Sequence, residues 1–296
     1  LAPARRRQLC EEAGAQLDLP AASIEKDFWV CWTLRELFAL SEFGPCLTFK
    51  GGTSLSKAWK LIERFSEDID VVIDREFLGF GGAKAPETAQ SGKLREKRLE
   101  GLKSACQALI AKHLEPALHK NLKDKLPEGL SWTLNPDLDD ADGQTLLFQY
   151  PAAFPPGSYL RPVVKIEFGA RSDTEPSETP EIRPYLAEAL PDELKDGAFK
   201  VRTVTPERTF WEKAMLLHEE TYRAGTKGPK ARLARHYYDL WRLIGAGVGD
   251  KAIEDAALFS RVAAHRAVFF TKKKEAQQSL RPGSLRLMPP EDLRAA

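Results

Sequence analysis

The sequence predicts an α+β protein, with a mixed αβ lobe over residues 1–204 and a helical lobe over 205–296. Three observations carry this. Short apolar or alternating runs that suit strands occur at 47–49, 68–74, 130–136, 145–151, 162–170 and 199–206, and then stop. Helical periodicity appears before, between and after them. At the junction Thr205 precedes Pro206 and Glu207, a strong helix start. A chain of 296 residues is long enough for one large core or two moderate ones.

The elements follow in order. "ASIEKDFWVCWTLRELFAL" places Ile24, Phe28, Leu34, Leu37 and Phe38 at helical spacing, with Ser23 as the expected N-cap. A short strand, Leu47 to Phe49, ends at Gly51-Gly52. "TSLSKAWKLIER" then reads as a helix and "DIDVVID" as a strand. The glycine-rich, polar segment 79–93 reads as a loop, and 93–122 as one long amphipathic helix. "LSWTLNP" and "TLLFQYP" form a strand pair across the acidic turn "DLDDADGQ". "PVVKIEFGA" and "FKVRTVTP" are further strands. Helices at 206–222, 230–247 and 251–270 complete the chain.

Composition excludes several classes. Hydrophobic residues at 43% and charged residues at 29% describe an ordinary soluble protein, and a net charge of +1 names no partner. No apolar run approaches the roughly 20 residues of a membrane-spanning helix. The cysteines (Cys10, Cys31, Cys46, Cys106) form no CxxC pair, and no signal peptide is visible, so reduced thiols in a cytoplasm are expected. The five histidines (His113, His119, His218, His236, His265) lack metal-ligand spacing, and His236 is expected to be structural. "DLDDADG" lacks the closing glutamate of a calcium loop and reads as a solvated hairpin turn. Trp29, Trp32, Trp211 and Trp241 fall on helices, where core packing is expected.

The chemistry concentrates in "LTFKGGTSLSKAWKLIERFSEDIDVVID". Residues two apart on a strand share a face, so Asp68 and Asp70 project together while Ile69, Val71 and Ile73 enter a core. Such a pair is either solvated or bridged by a hard divalent cation such as Mg²⁺. Gly51 and Gly52, between strand and helix, let backbone N–H groups approach an anion. Thr53, Ser54, Ser56, Ser66 and Lys57 add donors, and the Ser66 hydroxyl is also a candidate phosphoryl acceptor. The spacing matches neither a Walker A loop nor a GxGxxG fingerprint. A phosphate cradle followed by a metal-binding pair points to a nucleoside triphosphate (NTP).

"KGGTSLSKAW…RFSEDIDVVID" resembles the glycine-glycine and DxD signature of the nucleotidyltransferase superfamily related to DNA polymerase β. With "IEKDFWVCWTLREL", "TPERTFWEKAMLLHE" and "RHYYDLWRL", the chain resembles more narrowly the AbiEii/AbiGii-type toxins of type IV toxin–antitoxin systems, including the MenT group. The likeness spans about residues 20–245, with a spacer of fifteen residues between Gly52 and Asp68 that is longer than in many polymerase-β-like enzymes. It implies a polymerase-β-like lobe with a mixed sheet, Mg²⁺, an NTP co-substrate, and catalytic roles for Lys213 and Asp239. Lys213 would neutralise the leaving pyrophosphate. Asp239 would orient Lys213 or a nucleotide hydroxyl, or simply pair with Arg235 one turn away. Glu167 is the candidate third metal-binding carboxylate beside Asp68 and Asp70, and the general base, unless Lys165 claims it.

The acceptor is less local. Arg223, Lys227, Lys230, Arg232, Arg235 and Arg242, then Arg261, Arg266, Lys272, Lys273, Lys274, Arg281 and Arg286, put positive charge in the helical lobe. These are either solvated helix faces or a phosphate-backbone footprint. The resemblance implies a tRNA 3′ end as acceptor, translation as target, and an antitoxin protein as partner. A small-molecule, antibiotic-type nucleotidyltransferase and a non-enzymatic nucleotide-binding module are the alternatives.

Overall fold

A computed structural model describes residues 2–155, 160–223, 233–270 and 273–288. The elements run α1 (Pro3–Leu17), α2 (Ala21–Phe38), β1 (Leu47–Lys50), α3 (Gly51–Lys57), β2 (Ile69–Ile73), α4 (Gly92–Leu109), α5 (Glu115–Lys125), β3 (Thr133–Pro136), β4 (Thr145–Gln149) and β5 (Val163–Gly169). They continue as β6 (Ser177–Glu178), β7 (Glu181–Ile182), α6 (Tyr185–Ala189), β8 (Phe199–Lys200), β9 (Thr203–Val204), α7 (Pro206–Arg223), α8 (Ala234–Gly245), α9 (Val248–Glu254), α10 (Ala256–Phe269) and α11 (Lys274–Gln278).

Seven strands form one mixed sheet in the order β3-β4-β5-β2-β1-β9-β6. β2 runs parallel to β5 and β1 parallel to β9; the remaining neighbours are antiparallel. Alternation along β2 is obeyed: Ile69, Val71 and Ile73 are buried in one apolar cluster with residues of α2, α4 and α5. The opposite face of β1, β2 and β5 carries Lys50, Asp70 and Glu167 in cross-strand register. A second cluster joins α7, α8, α9 and α10, and takes Leu55 of α3 and Ile62 into it. No described helix is long and apolar enough to cross a membrane.

Several boundaries differ from the sequence expectation. α2 begins at Ala21 behind Pro20, so Ser23 lies inside the helix rather than capping it. α3 starts at Gly51 itself and ends at Lys57, and positive φ at Lys60 marks the break; residues 58–64 leave the helix expected there. The long helix is two, joined by a π turn over Ile110–Leu114 just before Pro116, whose missing N–H cannot bond in an α ladder. "FKVRTVTP" divides: β8 pairs with β7 in a separate two-stranded sheet, and only β9 joins the main one. The hairpin turn stands as expected, with Asp140 accepting from the Asp142 and Gln144 amides and the Thr145 hydroxyl. Of the tryptophans, Trp29 and Trp211 are buried, but Trp241 is 64% exposed on the outer face of α8.

α2 places three consecutive charged side chains inside the protein. Glu25 accepts the Ala153 amide at 2.7 Å, and Lys26 pairs with Glu67 at 3.1 Å while donating to the Arg161 and Val163 carbonyls. Asp27 pairs with Lys57 at 2.8 Å and accepts the Tyr185 amide at 2.6 Å. Each ion here has a partner, without which burial would be prohibitive. Asp27→Ala strands the Lys57 ammonium and should cost about 3–5 kcal/mol in chemical denaturation. Adding Lys57→Met to that variant should recover much of the loss.

Candidate active site

β1 delivers its last residue, Lys50, opposite Asp70, and the chain turns at Gly51 with φ of +81° directly into α3. That backbone conformation disfavours any residue with a Cβ. The space forbids it as well. A Cβ on Gly51 would lie 2.0 Å from Asp70 Oδ2, and one on Gly52 would lie 2.6 Å from Arg64 Nη2 and 2.9 Å from Ser66 Oγ. The glycine turn and the Asp70 carboxylate are thus in direct contact. Asp68, two residues earlier, lines the same cleft, a cavity of about 840 Å³ that also takes in Glu167, Lys213 and Arg235.

Three carboxylates crowd its floor. Burial raises the pKa of Asp68, with Glu167 and Glu67 adding to the effect. Asp70 is pushed up to about 7 by burial and then by Glu167, although Lys50 opposes the shift. Asp70 and Glu167 are register partners on parallel strands, which sets this repulsion. Glu167 meets the Lys165 ammonium at 2.5 Å, the competing partner expected from the sequence. Among the described residues, no group of three or more His, Cys, Asp or Glu side chains is placed to hold a metal ion. An open pair of hard oxygen donors still suits Mg²⁺, which takes one or two carboxylates and completes its shell with water and phosphate.

On the opposite wall, α7 and α8 meet the turn. Lys213 Nζ lies 2.9 Å from Asp239 Oδ2, and the wholly buried Asp239 also accepts two bonds from Arg64, at 2.7 and 2.8 Å. The partners of Asp239 are therefore Lys213 and Arg64, not the Arg235 one turn away. Desolvation raises the Asp239 pKa, yet Arg64 and Lys213 together hold it below the usual range. His236 Nδ1 sits 3.4 Å from Lys213 Nζ. Burial first, and then Lys213, pushes its pKa down to about 4, so it stays neutral beside the cation.

Three expected phosphate contacts are placed elsewhere. Lys57 does not line the cleft: its ammonium is buried against Asp27 and lies 3.6 Å from the Tyr185 ring centroid. Ser54 turns its hydroxyl back to the Gly51 carbonyl at 2.9 Å. Thr53 donates to the Asp68 carbonyl at 2.6 Å and lies 2.9 Å from Ser66 Oγ. The Thr53 hydroxyl braces the turn against the DxD segment, and the Ser54 hydroxyl closes on the turn itself. Ser66 itself lines the cleft.

Arg64, Lys50 and Glu212 line the cleft as well, and none of them is expected there from the sequence. Arg64 lay inside the quoted "RFSEDID" and Glu212 inside "FWEKA", but their partners are distant in sequence. Much of the basic lobe is committed internally: Arg242 pairs with Glu63, Arg261 with Asp173 and Arg266 with Glu219, each at 2.7–2.8 Å. Arg235 is exposed and faces the cleft. Lys227, Lys230, Arg232 and Lys272, and the Arg223 side chain, lie outside the described residues.

Residues 32–296 match the family described as "Nucleotidyl transferase AbiEii toxin, Type IV TA system". None of the curated proteins matches. Among solved structures, MenT4, a nucleotidyltransferase toxin of Mycobacterium tuberculosis, aligns over 92% of each chain with a TM-score of 0.38 and 16% identity.

Two outcomes follow from the geometry. Gly51→Ala should lower stability by about 1–2 kcal/mol through its positive φ and displace Asp70, which thermal unfolding and a crystal structure of the variant would read. The folded protein holds the Asp70 proton up to about pH 7, whereas an unfolded aspartate releases it near about pH 4. This group therefore costs stability increasingly as pH rises through that window. In metal-free protein, Tm should fall more steeply from about pH 5 to about pH 7 in wild type than in Asp70→Asn.

Proposed function

Because the chain belongs to the AbiEii family of nucleotidyltransferase toxins, we propose that it transfers a nucleoside monophosphate from an NTP to an RNA 3′ end, most directly that of tRNA, and so blocks translation. Its class is that of a nucleotidyltransferase, and membership in a type IV system carries an NTP substrate and an antitoxin partner. The observation that supports the reading best is the contact between the Gly51 turn and Asp70, with Asp68 beside it and Lys213 across the cleft. We take residues 1–204 as the nucleotidyltransferase lobe and 205–296 as the helical lobe; each has its own main apolar cluster, with Phe269 crossing into the first and Leu55 and Ile62 into the second.

In this reading Asp68 and Asp70 hold Mg²⁺. When bound, the ion supplies charge compensation and Lewis acidity at the phosphates. The backbone at Gly51-Gly52 receives the triphosphate, and Lys213 and Arg64 balance its charge. The acceptor hydroxyl oxygen attacks the α-phosphorus in line. As that bond forms, the α–β bridging P–O bond breaks and pyrophosphate leaves with the electron pair. Lys213, held by Asp239, faces the charge that grows on that leaving group. The hydroxyl proton passes to Glu167, whose Oε1 is fixed by Lys165. Arg235 and Arg161, both exposed at the cleft, are the cations placed for an acceptor phosphodiester.

Incubation with α-labelled NTPs, Mg²⁺ and total tRNA should label RNA. Asp70→Asn and Lys213→Ala should each lower the rate by about 10²-fold or more. Label transferred to aminoglycosides and not to RNA would assign a small-molecule acceptor instead.

A further inference from the structure

Lys50 is the strand residue opposite Asp70, and its side chain stands on the same face of the sheet. Opposite charges so placed, about 5 Å apart across a strand pair, ordinarily attract each other. Here the ammonium turns aside. It pairs with Glu212 Oε2 at 3.1 Å and donates to Ser172 Oγ at 3.0 Å. Glu212 is itself fixed: its other oxygen accepts from Arg208 Nε at 3.0 Å, and the buried Arg208 is anchored to Asp173 at 3.1 Å. Burial would raise the Glu212 pKa, but Lys50 and Arg208 bring it down to about 2, so the anchor stays charged.

We propose that Glu212, assisted by Ser172, is a positioning residue that withholds the Lys50 ammonium from Asp70 and so keeps that carboxylate open to a divalent cation. The inference rests on the reading of Asp68 and Asp70 as the residues that hold the ion. Freed from Glu212, Lys50 has the reach to fall on Asp70 and compete there as an internal counter-ion. The glycine turn contributes to the need for this anchor, because it fixes Asp70 against the backbone one residue from Lys50.

Equilibrium binding of Mn²⁺ to the full chain without nucleotide, read from the electron paramagnetic resonance signal of the free ion, tests this. Glu212→Gln should weaken binding about tenfold. Lys50→Met should bind at least as tightly as wild type. The Glu212→Gln/Lys50→Met double variant should return to the Lys50→Met level, a rescue that a merely structural role for Glu212 would not produce. Ser172→Ala, a milder change should Glu212→Gln fail to fold, should weaken binding less and be rescued in the same way. Asp70→Asn separates the two levels of the argument. If Asp70→Asn loses binding while Glu212→Gln and Ser172→Ala bind like wild type, the positioning role is overturned and the metal reading stands. A double variant as weak as Glu212→Gln also overturns it. If Asp70→Asn binds like wild type, the metal reading itself falls.

Discussion

Gly51 touches Asp70, and most of the cleft is arranged around that contact. The register of β1 on β2 sets Lys50 against Asp70, so the next residue must turn away at once. It does so with positive φ and no side chain, and α3 starts within the same step. The Gly51 backbone thus lies against the Asp70 carboxylate without any side chain spanning the distance. Thr53 then ties the helix to the Asp68 carbonyl, which stiffens the approach from behind.

Charge in the cleft is kept in order by pairing rather than by solvent. Consecutive residues of α7 act in opposite senses: Glu212 takes the lysine at the end of β1, and Lys213 is taken by Asp239 of α8. Asp239 in turn holds Arg64 from the segment before the DxD pair. The helical wall is therefore joined to both sides of the glycine turn by ion pairs whose members are largely buried, where losing one partner costs far more than at a surface. At the floor Glu167 has Lys165, but among the described residues no ion pair of this kind closes on Asp68 or Asp70, which under the proposed function leaves that pair to a cation.

The placement of Asp68 and Asp70 was legible because a strand has a period of two, and the alternation of Ile69, Val71 and Ile73 fixes the face locally. Lys213 and Asp239 came from resemblance; composition and spacing alone favoured solvated helix residues. Lys57 shows where local reading stops. Helical spacing says which residues share a face, but not which element the face meets, and here it meets Asp27 and Tyr185. Arg64, Lys50 and Glu212 escaped for the same reason, since their partners lie 162 to 175 residues away. The helix break after Lys57 and the division of 199–206 between two sheets depend on tertiary packing that overrides local propensity.

A crystal structure with Mn²⁺ and a non-hydrolysable NTP analogue tests the central claim most directly. Anomalous density between the Asp68 and Asp70 carboxylates, with phosphate oxygens on the amides of residues 51 and 52, is the predicted result. Metal density at the Asp137–Asp142 hairpin, or a triphosphate seated away from the glycine turn, would contradict it.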